Sequence, residues 1–252
     1  MRRSGKDDKS YQSLLELFDR YHEQITKEIV AEEQKLLAAI KRLENINYSQ
    51  IEAFYWLTRR LSVKSSLPPL RGWTMSPDIL LKLHEYITTA MPRVVLEFGG
   101  GVSSVVVCDA LRQNSYGRLV SIDHIRQYSD KTRQLIKKES LGNFVDLQIC
   151  PLEVWQDKHM TDEQPVWYSK SFLENIQEID LVIIDGPPGA TCKYARYPAV
   201  PAVYDKLSEN AQIWIDDAGR EDEAFICEQW AQKYGFKLEF LPTEKGLGIL
   251  SR

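Results

Sequence analysis

Three short stretches hold most of the side chains that could act on another molecule. "EFGGGVSS", Glu97 to Ser104, sets a carboxylate two residues ahead of three consecutive glycines. Such a bend of bare backbone lets a ligand press against the main chain, and a helix starting beyond it offers unpaired N–H groups. "IIDGPPG" places Asp185 after an apolar run, and "WIDDAGRE" places Asp216 and Asp217 after another. Three carboxylates converging from two such ends make an oxygen site for Mg²⁺, which accepts one or two carboxylates plus waters and ligand oxygens. Without a cation, one of them suits a general base toward a hydroxyl, and one of Asp216 and Asp217 is free to cap the next helix.

The glycine bend admits either a pyrophosphate or the amino-acid end of a different ligand. The dinucleotide fingerprint asks for G-x-G-x-x-G. Gly99 and Gly101 fit it, but the third position is Ser104. Glu97 beside the bend disfavours an anion and suits a ligand carrying an ammonium or other cationic group.

These acids need strands to carry them. "RVVLEF", "RLVSIDH", "FVDLQIC", "DLVIIDG" and "AQIWIDD" are runs rich in Val, Ile and Leu with helical segments between most of them. Continuous apolar strands of that kind predict a parallel sheet covered on both faces, an α/β fold with its ligand beyond the carboxyl ends of the strands. Glu97, Asp123, Asp185, Asp216 and Asp217 all fall at or near those ends. "FKLEFLP" and "LGILSR" are separated only by "TEKG", too short for a crossover helix, so the sheet must finish in an antiparallel hairpin. The doubled mononucleotide unit of a dinucleotide-binding domain does not end that way. Ser76, Pro77 and Asp78 open a helix ahead of the first strand.

Before the sheet, residues 11–47 contain no Gly or Pro, and Leu14, Phe18, Tyr21 and Ile25 trace the seam of a coiled coil. The seam then slips to Ile29, Leu36, Ile40 and Leu43, as after a stutter. A helix of this length, roughly 50 Å, cannot bury its stripe alone, which predicts a homo-oligomer formed through it, the alternative being a helix folded back onto its own globular domain. A second helix is expected over about Tyr48 to Leu61, then a connector at "SSLPPLRGW". The expected division is a helical arm over 1–68 and an α/β domain over 69–252.

With 252 residues, 43% hydrophobic and 27% charged, the chain reads as a soluble globular protein. A net charge of −4 gives no basic footprint for nucleic acid, and no apolar run is long enough to span a membrane. The N-terminal "MRRSGKDDKS" has no apolar segment behind its basic residues and reads as no secretory signal. Cys108, Cys150, Cys192 and Cys227 are scattered without metal-ligand or disulfide spacing, which together with the missing signal predicts a cytoplasmic protein.

"VVLEFGGGVSS" resembles the first motif of class I S-adenosylmethionine-dependent methyltransferases, "VSIDH" resembles their second, and the terminal hairpin matches their inserted seventh strand. The resemblance covers roughly Pro69 to Arg252. "LRGWTMSPD", "IDGPPG", "ARYPA" and "DDAGRE" are similar to a bacterial subgroup tied to glycan and natural-product pathways. It implies a Rossmann-like sheet of seven strands, S-adenosyl-L-methionine as cofactor, and methylation of a hydroxyl on a sugar, glycan or small secondary metabolite. It also implies that Glu97, Gly99, Gly100, Gly101, Ser103, Ser104, Asp123, His124, Pro151, Leu152 and Asp185 surround the cofactor, with Cys150 beside the adenine. Asp185 or His124 would take the acceptor's proton. Asp185, Asp216 and Asp217 would hold Mg²⁺ if the reaction uses it, as in the metal-dependent enzymes acting on catechols and sugars. Gly186, Pro187 and Pro188 follow Asp185, so the lysine base of the catechol enzymes is missing.

Arg196 and Tyr197 would border the acceptor, Arg196 meeting a substrate anion or forming a structural ion pair. Trp167 and Tyr168 read as loop aromatics, either stacking on a ring or packing a lid. Trp73 would close over the cofactor or anchor the connector. His159 reads as solvated, and His22 and His84 have no role. The alternatives are an NAD(P)-linked oxidoreductase or epimerase, and a scaffold whose helical arm is its main business.

Overall fold

The computed structural model describes residues 5–157, 160 and 165–252; His159 lies outside them. The chain forms two compact units, 1–49 and 50–252. A single helix, α1 (Gly5–Arg60), enters the second unit with its last turns. The expected break near Tyr48 does not occur. "NINYS" contains weak helix formers but no Gly or Pro, and a few tenths of a kcal/mol per residue does not stop a long helix. Ala53 and Leu57 are buried in the core of the second unit, so the units divide at Ser49 and Gln50 and not at residue 68.

The second unit is a seven-stranded sheet. Its strands are β1 (Val94–Phe98), β2 (Arg118–Asp123), β3 (Val145–Ile149), β6 (Ile179–Ile184), β7 (Leu207–Asp216), β8 (Lys237–Leu241) and β9 (Leu247–Ser251). Their order is β3-β2-β1-β6-β7-β9-β8. The first five are parallel; β9 lies antiparallel between β7 and β8. Every sequence-expected strand is present, including the closing hairpin. Helices α2 (Pro77–Ala90), α3 (Val102–Asn114), α4 (Arg126–Lys138), α5 (Ala199–Val203) and α6 (Glu221–Tyr234) complete the fold.

Alternation along β1 separates the two cores. Val94, Leu96 and Phe98 join Val182, Ile184, Ile213, Ile215 and Trp230 on one face. Val95 joins Leu57, Leu80, Leu83, Val106 and Ile183 on the other. Continuous apolar strands are therefore what a doubly covered sheet requires.

One element was not expected. β4 (Leu152–Val154) and β5 (Val166–Tyr168) pair as a separate antiparallel ribbon. The pairing turns Trp167 inward against Phe98, Trp155 and Phe172, with ring centroids 5.0, 5.5 and 6.1 Å away. Trp167 and Tyr168 are 1% and 2% exposed, so neither is the exposed loop aromatic that the proline-bounded sequence suggested.

Candidate functional site

The carboxyl ends of β2, β1 and β6 are stitched together by main-chain bonds. Gly99 N–H donates to the Ile122 carbonyl at 2.9 Å, and Asp185 N–H donates to the Phe98 carbonyl at 2.8 Å. The three glycines then do different work. Gly99 has φ +89°, and a Cβ there would stand 2.5 Å from the Asp185 carbonyl oxygen. A Cβ on Gly100 would stand 2.3 Å from Ser121 Oγ. Gly101 is the N-cap of α3, and a Cβ on it would meet nothing within 4 Å. The first two glycines let the structure close on itself; the third leaves open space.

That space is a cleft of about 330 Å³ lined by Gly99, Gly100, Gly101, Ser103, Asp123, His124 and Asp185 among others. Asp123 ends β2 with its Oδ1 accepting the Ile125 N–H at 2.7 Å. Burial pushes its carboxyl up, and the hydrogen bond from Ile125 and the neighbouring His124 pull it back down. His124 Nδ1 is 3.7 Å from Asp123 Oδ1, and its ring stands edge-on to Tyr168.

Glu97 is not on the cleft wall. It is fully buried beneath the bend, its Oε2 accepting hydrogen bonds from Ser104 and Ser121, with Oε1 unpartnered. Burial pushes its carboxyl up against the serine hydrogen bonds. It organises the bend from below, where the sequence reading had it facing the ligand. Ser104 belongs to the same buried network, whereas Ser103 reaches the cleft. Pro151 and Leu152 are not brought to the cleft: Pro151 is exposed and its carbonyl accepts the Ser169 N–H, while Leu152 pairs with Tyr168 in the ribbon. Cys150 is buried in the core.

In their place stand residues that sequence reasoning passed over. Tyr128, Thr132 and Leu135 line the cleft from α4; Tyr168, already singled out as a ring-stacking or lid aromatic, lines it from β5. The spacing of the α4 trio, four then three, is one helical face, and that was the available signal. Trp73 also lines the cleft and is 79% exposed, so it anchors no core.

A second cleft of about 670 Å³ adjoins the first, sharing Trp73, Asp185 and Pro188. Its remaining walls carry Arg196, Asp217, Arg220, Glu221, Asp222, Glu223 and Lys245. His124 lines only the first cleft. Asp185, Asp216 and Asp217 each bring a carboxylate oxygen within 4.8 Å of the others. The cause is register: Ile184 pairs with Ile215, so the next residues on β6 and β7 emerge side by side.

Like charges this close need a counter-charge, and Arg196 supplies it. Its guanidinium is 3% exposed and donates to Asp217 Oδ2 at 2.8 Å, Asp185 Oδ1 at 3.3 Å and the Asp216 carbonyl at 2.7 Å. Glu223 Oε1 is 3.8 Å from its Nε. Arg196 is thus held in a structural ion pair at the edge of the second cleft, and only its Nε makes no hydrogen bond. Burial pushes the Asp185 carboxyl well above the ordinary carboxylate range, reinforced by Asp216 and Asp217 and opposed by Arg196. Burial and then Asp217 raise Asp216 to about 6. The donor spacing suits a divalent ion, but two of the three carboxylates already share a guanidinium, so the residues present do not fit one.

His84 is buried in α2 beside Gln113 and Asp109, outside both clefts. The four cysteines are free, and among the described residues no helix is long and apolar enough to cross a membrane.

Residues 96–218 match a family described as a methyltransferase domain. No curated protein matches the chain. Among solved structures, the O-methyltransferase TomG from Streptomyces achromogenes, involved in tomaymycin synthesis and bound to S-adenosylmethionine, superimposes with a TM-score of 0.57. It is 16% identical, over 82% of this chain and 97% of that one. The Podospora anserina methyltransferase PaMTH1, bound to S-adenosylhomocysteine, gives 0.56 at 16% identity, over 80% and 86%. An O-methyltransferase from Bacillus cereus, also with S-adenosylhomocysteine, gives 0.54 at 18% identity, over 73% and 84%. The chain shares the fold of these proteins, and residues 96–218, just under half of it, are similar in sequence to the methyltransferase-domain family.

Proposed function

We propose that the protein is an S-adenosylmethionine-dependent methyltransferase acting on a hydroxyl of a sugar, glycan or small secondary metabolite. The observation that carries this reading is the open backbone at Gly101 in one cleft with Asp123. The start of α3 offers N–H groups for the carboxylate of an amino acid, and Asp123 suits the two hydroxyls of a ribose. Tyr128, Thr132 and Leu135 supply a flat, largely apolar wall for a base. S-adenosylmethionine, when bound, contributes a methyl group activated by a sulfonium. The two neighbours described above that carry S-adenosylhomocysteine and the one with S-adenosylmethionine support the same cofactor here.

Asp185 stands where the two clefts meet, which suits it to orient an acceptor hydroxyl and receive its proton. A raised carboxyl is a stronger base once ionised, closer in affinity to the hydroxyl it serves. Arg196 holds that carboxylate in place. In-line displacement gains mostly from alignment, so a rigid Asp185 contributes geometry as well as basicity. His124, confined to the cofactor side, is better placed to support Asp123 than to act as the base. The acceptor wall has carboxylates at Asp185, Asp217, Glu221, Asp222 and Glu223 against Arg196, Arg220 and Lys245, which favours a neutral or cationic polyol over a phosphorylated one. An NAD(P)-linked enzyme is disfavoured by β9, which breaks the paired βαβαβ halves of that fold.

The test is calorimetric titration of S-adenosylhomocysteine and NAD⁺ into the purified protein and into Asp123→Ala. Binding of S-adenosylhomocysteine alone, lost in the variant with an unchanged circular dichroism spectrum, supports the reading. Binding of NAD⁺ alone overturns it.

The proposal extends to assembly through α1. Phe18, Tyr21, Ile25, Ile29, Leu36, Ile40, Leu43, Ile51 and Phe54 are between 44% and 67% exposed. With Glu32 and Asn47 they follow a strict three-four-four spacing, an eleven-residue repeat whose stripe stays nearly parallel to the helix axis. The stripe is about 50 Å long. No other described helix exceeds 14 residues, so within this sequence only a second copy of α1 matches it.

A further inference from the structure

The three-aspartate cluster has the spacing of a divalent-cation site, yet a cation of the chain's own is built into it. Arg196 Nη2 bridges Asp185 Oδ1 and Asp217 Oδ2, two of the three carboxylates a metal would need. Its Nη1 donates to the main-chain carbonyl of Asp216, so the guanidinium is tied to the end of β7 as well as to the acids. Asp217 has a second partner in Arg220 Nη1 at 3.0 Å. The third carboxylate has Lys245 Nζ at 3.9 Å from Asp216 Oδ2, and that lysine is itself tethered to the Gly72 and Thr74 carbonyls. Cations therefore approach the cluster from two sides, and neither depends on solvent ions.

We propose that Arg196 is the resident cation of this cluster and that it stands in place of a divalent metal, so that Asp185, Asp216 and Asp217 do not bind one. A guanidinium is charged at every working pH and cannot be displaced by deprotonation. A dication seated on the same oxygens would lie against it, with like charges in contact in a water-poor site. The inference concerns how the acids beside the acceptor cleft are neutralised. It rests on that reading only for the name of the cleft, and its test uses no S-adenosylmethionine, so either can fail alone.

The experiment is titration of Mn²⁺ into the full-length protein, followed by electron paramagnetic resonance and calorimetry, for wild type, Arg196→Gln, Asp216→Asn and the double variant. Wild type should show no saturable site up to millimolar Mn²⁺. Arg196→Gln leaves the acids uncompensated and should gain one Mn²⁺ per chain, at least about tenfold tighter than any wild-type binding, because a buried unpaired charge recruits a counter-ion. Adding Asp216→Asn should remove that gain. Saturable Mn²⁺ binding by wild type that Asp216→Asn abolishes would overturn the proposal; binding that survives it lies outside the cluster and supports the assignment. If Arg196→Gln does not fold, the wild-type and Asp216→Asn titrations decide by themselves.

Discussion

Gly101→Ala separates a backbone kept bare for a ligand from one kept bare for folding. The new methyl would meet no atom within 4 Å, and Gly101 has φ −175°, extended backbone that any residue adopts. Replacing Gly by Ala at a compatible position stabilises by about 0.4–1 kcal/mol through the unfolded chain. Melting temperature should therefore stay level or rise slightly. Binding should behave oppositely. The methyl projects into the cleft at the start of α3 and displaces whatever accepts its N–H groups. Losing one hydrogen bond to a charged group costs about 1.5–3 kcal/mol, which is roughly 10- to 150-fold in affinity.

The internal control is Gly99→Ala. Its methyl would stand 2.5 Å from the Asp185 carbonyl oxygen at a φ of +89°. To make room, β1 and β6 must separate at the very ends that form the site. Backbone strain of that kind costs about 1–3 kcal/mol, so this variant should melt lower. Calorimetry with S-adenosylhomocysteine and thermal melts on both variants complete the comparison. Gly101→Ala binding within about twofold of wild type would refute the idea that this backbone seats the ligand. A markedly lower melting point for the same variant would refute the open space on which the reasoning stands.

Asp216 provides a pH test. Its folded pKa, about 6, lies above the ordinary carboxylate value of 3.8, so the folded state binds the proton more tightly than the unfolded chain. Stability from this group is then present at low pH and lost as pH rises from about 4 through about 6, by at most about 3 kcal/mol. Asp216→Asn should raise the melting temperature at pH 7.5, with the gain fading below pH 4; a gain independent of pH, or a loss throughout, would contradict the burial argument. Replacing Ile29 and Leu36 together by Lys should reduce the mass seen in light scattering without changing S-adenosylhomocysteine binding. An unchanged mass would remove the self-association of α1.

The sheet could be read from the sequence because each parallel strand contains a short apolar run, and all but β3 carry an acid at or near the end. "FKLEFLP" and "LGILSR" even disclosed the antiparallel finish, since four residues cannot hold a crossover. The ribbon of β4 and β5 escaped because each strand is three residues long and Pro165 disguises the second as a loop. Its burial comes from the aromatic faces of Trp155 and Phe172 beside the ribbon and of Phe98, which lies far away along the chain. The single helix α1 escaped for the opposite reason. A local dip in propensity was visible, but the continuity of some fifty helical residues around it was the stronger effect.

At the site, the acids were visible and their company was not. Asp185 and Asp216 had to meet once β6 and β7 were neighbours in register, so their convergence follows from topology. What they can do depends on the counter-charge. An arginine in a loop eleven residues beyond Asp185 carries no local sign of being buried between two strand ends. Read without it, the three carboxylates suggest a metal. With it, two of them are already neutralised, and one of those two, Asp185 where the clefts meet, is held by a guanidinium that no change of solution ions can remove. Glu97 shows the same dependence: its place ahead of the glycines suggested a charge facing the ligand, but the even–odd alternation of β1 sends it under α3, into the hands of Ser104 and Ser121. A charged side chain at a strand end announces a site; which side of the strand it leaves, and which cation reaches it, decide its chemistry.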